Sequence, residues 1–310
     1  MSELLYSHEE MLRNLQMLCR RYRPLAFART TALTRDGRAI VLLTMGNPRA
    51  KKHLLIQASI HGREYVNSLL VMKQAKAFLE GYPCSRYIGI SYKELLNSVC
   101  FHILPMTNPD GAAICQQGPR AIRNSALRQK LCAACRGIPP RQRAEFWKRW
   151  KANASGVDLN RNFSAGWQEY QGAPLAGPEK YKGPHPASEP ETRAILAAAR
   201  DVPVCCVISL HSSGNLIYWD YGSSGNLHQQ ETALARLLSA ATGYPAVSVQ
   251  KDSADTAGCS DYFVRVRGIP AATIENGAGP APVGREEFPA LWAASRELLP
   301  ALAHFYTGRI

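Results

Sequence analysis

Nowhere in its 310 residues does the chain hold an apolar run close to the ~20 residues that a membrane-spanning helix needs; the most apolar stretch, 202–210 (VPVCCVISL), is less than half as long. No membrane span is expected. The first residues, MSELLYSHEEML, place acids where a signal peptide has its basic region and have no apolar stretch behind them. Export by that route is not expected, and a cytoplasmic setting is. A disulfide framework is also missing from the pattern, since nine cysteines are an odd number and suit a reducing compartment better. Cys132 and Cys135 form a CxxC, but a structural zinc site needs a second pair, and the adjacent Cys205 and Cys206 do not provide one. They read as two thiols in a loop. Repeats, low-complexity blocks and linker-like stretches are absent, so a single domain over 1–310 is expected. Acid is scarce: 24 Asp and Glu against 37 Lys and Arg leave a charge of +13 and a pI near 9.5. That balance fits a polyanionic or carboxylate-rich partner, or simply a soluble basic protein.

What is present is material for a core, with 46% hydrophobic and 20% charged residues. Ser7 and Glu10 are spaced as a capping box before Met11, Leu12, Leu15 and Leu18, which predicts an N-terminal helix. Strand-like runs follow at 39–45 and 53–60, then a helical pattern over 65–79 and a strand at 99–104. Later come a helix over 188–200 with a Ser188/Glu191 box, a strand at 204–210, a helix at 227–242, a strand at 271–275 and a last helix over 286–306. Near-continuous apolar strands alternating with helices predict an α/β fold: a mixed, mostly parallel twisted sheet with helices on both faces. The stretch 112–155, rich in Arg, Lys, Gln and Cys, reads as a basic insertion, irregular or helical.

An open α/β sheet places its ligand site where strands end. The run 53–60 leads straight into His61 and Glu64, three residues apart at a strand-to-helix turn, where an imidazole and a carboxylate can converge on one cation. The run 204–210 leads into His211, and 271–274 into Glu275. Two histidines and a glutamate are a common ligand set for catalytic zinc, which leaves Glu275 to act as a base.

HGREY at 61–65, NPDG at 108–111, GVDLNRNF at 156–163, GPHPASEPET at 183–192, SLHSSG at 209–214 and TIENG at 273–277 together resemble the zinc carboxypeptidase family, in that family's order. GVDLNRNF with SEPET is the most specific part. The resemblance implies one Zn2+ per chain held by His61, Glu64 and His211, with Glu275 as the catalytic glutamate. It implies that Asn160 and Arg161 grip a substrate carboxylate and that Arg63 lines the same site. Arg161 offers a planar fork for a carboxylate, which a lysine does not reproduce. The family's oxyanion arginine follows a tryptophan, and in Trp147-Lys148-Arg149-Trp150-Lys151 the spacing is best kept by Lys151, while Lys148 or Arg149 needs a gap.

Two departures bear on the substrate. No tyrosine precedes Gly258 within 252–262, where digestive members carry a mobile one, and the position that often decides side-chain preference falls at or near Ser260, small and polar. Asp255 and Asp261 stand nearby, either to meet an amine or to shape a turn. These features, with WKANASGVDLNRNF, look like the bacterial branch that cleaves γ-D-glutamyl-diamino-acid bonds of peptidoglycan peptides, whose diaminopimelate bears both an amine and a carboxylate. The expected partner is a peptide with a free carboxylate. The alternatives are a carboxypeptidase acting on ordinary peptides and a deacylase of small N-acyl-amino acids, which shares the HxxE, the later His and a DLNRxF block. A nucleic-acid binder leaves the ligand set without a purpose, so no nucleic acid is expected. The sequence carries no signal of oligomeric state.

Overall fold

The computed structural model describes residues 5–249 and 256–308. The first helix, α1 (His8–Arg21), buries Met11, Leu15 and Leu18, and the Ser7 side chain accepts the Glu10 backbone N–H at its N-cap. Strands β1 (Ala26–Leu33), β2 (Ala39–Gly46) and β3 (Lys52–Ala58) follow, then a 3-10 turn (Gly62–Glu64) and α2 (Val66–Glu80). A small hairpin, β4 (Arg86–Tyr87) with β5 (Ile90–Ser91), leads to α3 (Tyr92–Ser98), β6 (Val99–Leu104) and α4 (Pro109–Gln117). Helices α5 (Ser125–Ala134), α6 (Arg143–Lys148) and α7 (Pro190–Arg200) precede β7 (Val204–His211) and β8 (Leu216–Trp219). The chain continues through α8 (Gly225–Thr242), β9 (Ala246–Ser248), α9 (Cys259–Arg265), β10 (Ala271–Glu275), α10 (Phe288–Ser295) and α11 (Leu298–Thr307).

Eight strands form one sheet in the order β1-β2-β6-β3-β7-β10-β8-β9. Its central strands β6, β3, β7 and β10 are all parallel, while β1–β2, β2–β6 and β10–β8 are antiparallel and β8–β9 is parallel. The sheet is therefore mixed and mostly parallel, and four strand ends open on one edge. Alternation explains the continuous apolar runs: Leu54 and Ile56 pack with Leu15 of α1, Phe78 of α2, Leu238 of α8 and Leu302 of α11, while Leu55 faces Ile195 of α7 and Phe263 of α9. Both faces of β3 are buried.

Several boundaries differ from those read in the sequence. The Ser188/Glu191 box does not form: Pro190 occupies the first helical turn of α7, Glu189 is its N-cap, and the Ser188 hydroxyl accepts from Asn162 Nδ2 and donates to Glu189 instead. A capping box forms at Ser91 and Glu94. The last helix is broken into α10 and α11, because Pro300 has no N–H to bond the Arg296 carbonyl and its ring crowds that group. Strand β1 went unread because it is an edge strand, largely exposed, whose Arg29, Thr30 and Thr31 break any apolar run. The basic stretch holds helices around an apolar cluster of Ile114, Ile122, Leu131, Trp147 and Trp150. Asp36 accepts the Arg123 and Asn124 backbone N–H groups, and Arg38 donates to the Ala121 carbonyl and pairs with Asp110, which ties the stretch to the β1–β2 turn. Cys132 and Cys135 lie in the last turn and C-cap of α5, not in a loop.

Candidate metal centre and active site

β3 ends at Ala58, and the chain turns at Ser59, whose φ is 54°, before an extended His61 leads into the 3-10 turn that carries Glu64. This turn sits hard against α4: a Cβ on Gly62 would lie 2.4 Å from the Gly111 carbonyl carbon, and one on Gly111 2.5 Å from the Ala152 carbonyl oxygen, so both positions need glycine. Asn108 clamps the junction, accepting the Gly111 N–H at 2.8 Å and donating to the Ile60 carbonyl at 3.0 Å. NPDG is thus a buttress for HGREY. His211 closes β7 and Glu275 closes β10, paired with each other in the sheet register.

Two imidazoles turn the same ring atom towards one carboxylate. His61 Nδ1 lies 2.8 Å from Glu64 Oε1 and His211 Nδ1 lies 3.1 Å from Glu64 Oε2. One donor atom from each of the three lies within 4.8 Å of the others, and all three residues are buried. Glu64 Oε2 has close contact with His211 but no aligned hydrogen bond among the described residues. A buried carboxylate oxygen left in that state between two imidazoles fits a dication at this point, and a His–Glu–His donor set suits zinc. Burial opposes the charge on Glu64, yet the histidines outweigh it and hold the carboxyl far below its ordinary range. Burial likewise works against a charged His61, and the carboxylates of Glu64 and Asp158 lift it above its usual value nonetheless.

Asp158 was quoted in the sequence only as part of a motif, and the structure gives it a function. Its Oδ1 lies 3.2 Å from His61 Nε2, and it also accepts the Asn160 and Lys180 backbone N–H groups. Burial is again outweighed, here by His61, and its carboxyl sits far below the ordinary range. A carboxylate on the outer nitrogen of a ligating histidine fixes ring orientation and tautomer. Asn67 was also missed: its Nδ2 reaches the Glu64 carbonyl and the Ser212 hydroxyl, and its Oδ1 accepts from Asn276. It braces the residue after His211 and the residue after Glu275 against the Glu64 turn. No motif spacing signals such a brace, since its members come from three separate elements.

A cavity of about 390 Å3 joins His61 and His211 to Lys151, Asn160, Arg161, Ser260, Asp261 and Glu275. Burial, reinforced by the Glu64 charge and opposed by His211, lifts the Glu275 carboxyl above its ordinary value. Lys151 lines this cavity and sits 3.9 Å from Glu179, whereas Lys148 and Arg149 line a separate one with Tyr65, residues 279–284, Glu286 and Glu287. Arg161 stacks 5.3 Å over the Tyr170 ring and donates from Nη1 to the Asn160 carbonyl, which holds its fork in place. Asn160 Oδ1 accepts the Cys259 N–H. Arg63 does not line this cavity: its Nη1 donates to the Arg149 carbonyl at 3.2 Å, because the 3-10 turn sends residue 63 away from the side taken by 61 and 64. At the back, Ser260 Oγ is 2.9 Å from Thr273 Oγ1, itself 2.8 Å from the Tyr221 hydroxyl, so the floor is a row of hydroxyls. Asp255 lies outside the described residues.

Over residues 11–272 the sequence matches the family described as zinc carboxypeptidase. Gamma-D-glutamyl-L-diamino acid endopeptidase 1 of Lysinibacillus sphaericus is 29% identical over 254 residues, 81% of this chain and 60% of that protein. Carboxypeptidase B of Astacus astacus is 26% identical over 227 residues, 72% of this chain and 66% of the relative. The chain thus spans under two thirds of the length of either relative. Among solved structures, that of thrombin activatable fibrinolysis inhibitor superposes with a TM-score of 0.77 at 19% identity, covering 99% of this chain and 75% of the other, a likeness of fold. No described helix is long and apolar enough to cross a membrane.

Proposed function

The chain belongs to the zinc carboxypeptidase family, and on that footing we propose that it is a zinc peptidase hydrolysing an amide bond of peptidoglycan-derived peptides, of the γ-D-glutamyl-diaminopimelate type. The observation that carries the reading is the meeting of His61, Glu64 and His211 with Glu275 and Arg161 in one cavity at the open edge of the parallel strands. His61, Glu64 and His211 would hold the zinc. When bound, zinc supplies Lewis acidity that polarises a carbonyl and lowers the pKa of a water towards neutrality. Glu275, its carboxyl lifted by burial, takes the proton of the attacking water and returns it to the leaving amine. Lys151 presents an ammonium to the oxygen on which negative charge develops. Arg161, locked by Tyr170, receives the substrate carboxylate, with the Asn160 amide beside it.

Substrate class rests on two supports, the endopeptidase relative and the hydroxyl floor of Ser260, Thr273 and Tyr221, which suits a polar side chain with an amine better than a large apolar one. Asp261 adds a carboxylate to the same cavity. A cytoplasmic setting belongs to this proposal and agrees with nine cysteines that are all free. The test is mass spectrometry of products from defined muropeptides and from blocked C-terminal dipeptides. Scission between D-glutamate and the diamino acid is expected. Cleavage of the dipeptides alone overturns the wall-peptide reading in favour of an ordinary carboxypeptidase.

A further inference from the structure

At the start of β3, away from the strand ends that carry His61 and His211, a second set of buried donors converges. β3 and β6 are parallel neighbours, with His53 opposite Cys100 and Leu55 opposite His102. Residues two apart on a strand share a face, so Cys100 and His102 stand on the same side of β6. One donor atom each from His53, Cys100 and His102 lies within 4.8 Å of the others, and all three residues are buried. The imidazoles are stacked, with centroids 5.1 Å apart and planes inclined by 14°, and His53 Nδ1 lies 2.8 Å from His102 Nε2.

A carbonyl only accepts, so His53 Nε2, 2.9 Å from the Ala50 carbonyl, carries the hydrogen of that ring. A neutral His53 therefore turns a bare Nδ1 lone pair towards the cluster, which is how a metal-bound histidine is held, one nitrogen donating to the backbone and the other facing the ion. Without an ion, His102 Nε2 must donate to that lone pair. The lone pair of His102 Nδ1 is then stranded, for this buried atom has no hydrogen-bond partner among the described residues. An ion held by His53 Nδ1 and His102 Nε2 leaves that atom, then protonated, without a partner too, so the ground for an ion here is the convergence of three buried donors with the bare His53 lone pair.

We infer that His53, Cys100 and His102 form a second cation site, for a zinc-class ion that takes imidazole nitrogen and thiolate sulfur together. The donors include no carboxylate, which disfavours magnesium and calcium and suits a borderline or soft metal. Three protein ligands leave a fourth position for another donor. The ion replaces the thiol proton, which is released, and the hydrogen between the rings moves to His102 Nδ1. Joining adjacent strands, such an ion pins β3 to β6 and is structural in role. This inference stands on geometry apart from the catalytic centre and does not depend on the proposed substrate.

The test titrates metal-free protein with cobalt(II), whose bond to a thiolate gives a sulfur-to-metal charge-transfer band in the near ultraviolet. The His61–Glu64–His211 centre has no thiol, and a Cys132→Ser background removes the exposed CxxC as a source. About two cobalt ions per chain are expected, one of them giving the band. Cys100→Ser should abolish the band and one equivalent while peptidase activity is retained, and His211→Ala should lose the other equivalent and keep the band. Saturation at one cobalt per chain without a band overturns the inference and leaves the first centre standing. A band that survives Cys100→Ser overturns it as well.

Discussion

Asp158 shows how far one buried carboxylate can reach. It is a single hydrogen bond from His61 Nε2, and two backbone N–H groups hold it still, so it decides which nitrogen of His61 faces Glu64. Asp158→Asn is expected to lower zinc affinity about 10–100-fold, read by competition with a chelator; an unchanged affinity would show that His61 needs no such partner. Glu191 makes a different kind of prediction. Burial, aided by the charges of Asp110 and Glu189, pushes its carboxyl up to about 8. Between the ordinary carboxylate range and that value the folded state binds more protons than the unfolded state, so this group costs stability as pH rises, each unit of separation being worth ~1.4 kcal/mol. Glu191→Gln keeps an acceptor for Asn153 and removes the proton. Its stability relative to the unchanged protein should climb from about pH 5 to about pH 8 in denaturant titrations. A gap that stays flat over that window would count against a protonated Glu191.

At the scale of elements, the four parallel strands do most to make the site, because their ends bring side chains far apart in sequence to one edge. His61, His211 and Glu275 were legible for that reason: each follows a buried apolar run that a single strand explains. The braces were not. Asn67, Ser212 and Asn276 meet only after three elements have packed, and nothing local distinguishes them from ordinary surface polar residues. Edge strand β1 was hidden by its polarity, and the interruption between α10 and α11 lay in Pro300, which a helical periodicity overrides on paper but not in space. The basic stretch read only as irregular or helical, without a choice between them, because its helices are short and its apolar residues sparse. Trp150 anchors it, fully buried beside Trp147 and donating from Nε1 to the Asn153 carbonyl at 3.3 Å. Trp150→Ala should cost about 3–5 kcal/mol in guanidinium unfolding, and a loss below about 1 kcal/mol would mean that the cluster is dispensable. Lys151 and the Asn108 clamp meet at this stretch's C-terminal end, so the variant should also weaken activity.

For the whole molecule, the excess of positive charge that marked the sequence now has two parts. Lys151 and Arg161 face the catalytic cavity, whereas Arg38 is spent inside the fold, paired with Asp36 and Asp110. The architecture separates tasks in the same way. One edge of the sheet carries the His–Glu–His cluster and opens on the cavity that Arg161 lines, while the helical layers on both faces keep the strands that present it buried. Everything in the functional account turns on Glu275 moving a proton beside that centre. The most direct measurement is the turnover of a γ-D-glutamyl-diaminopimelate peptide by Glu275→Gln, with bound zinc quantified on the same sample. A loss of about 10^2–10^4-fold with zinc content unchanged is predicted. Turnover equal to that of the unaltered protein, with the metal still in place, would contradict the account.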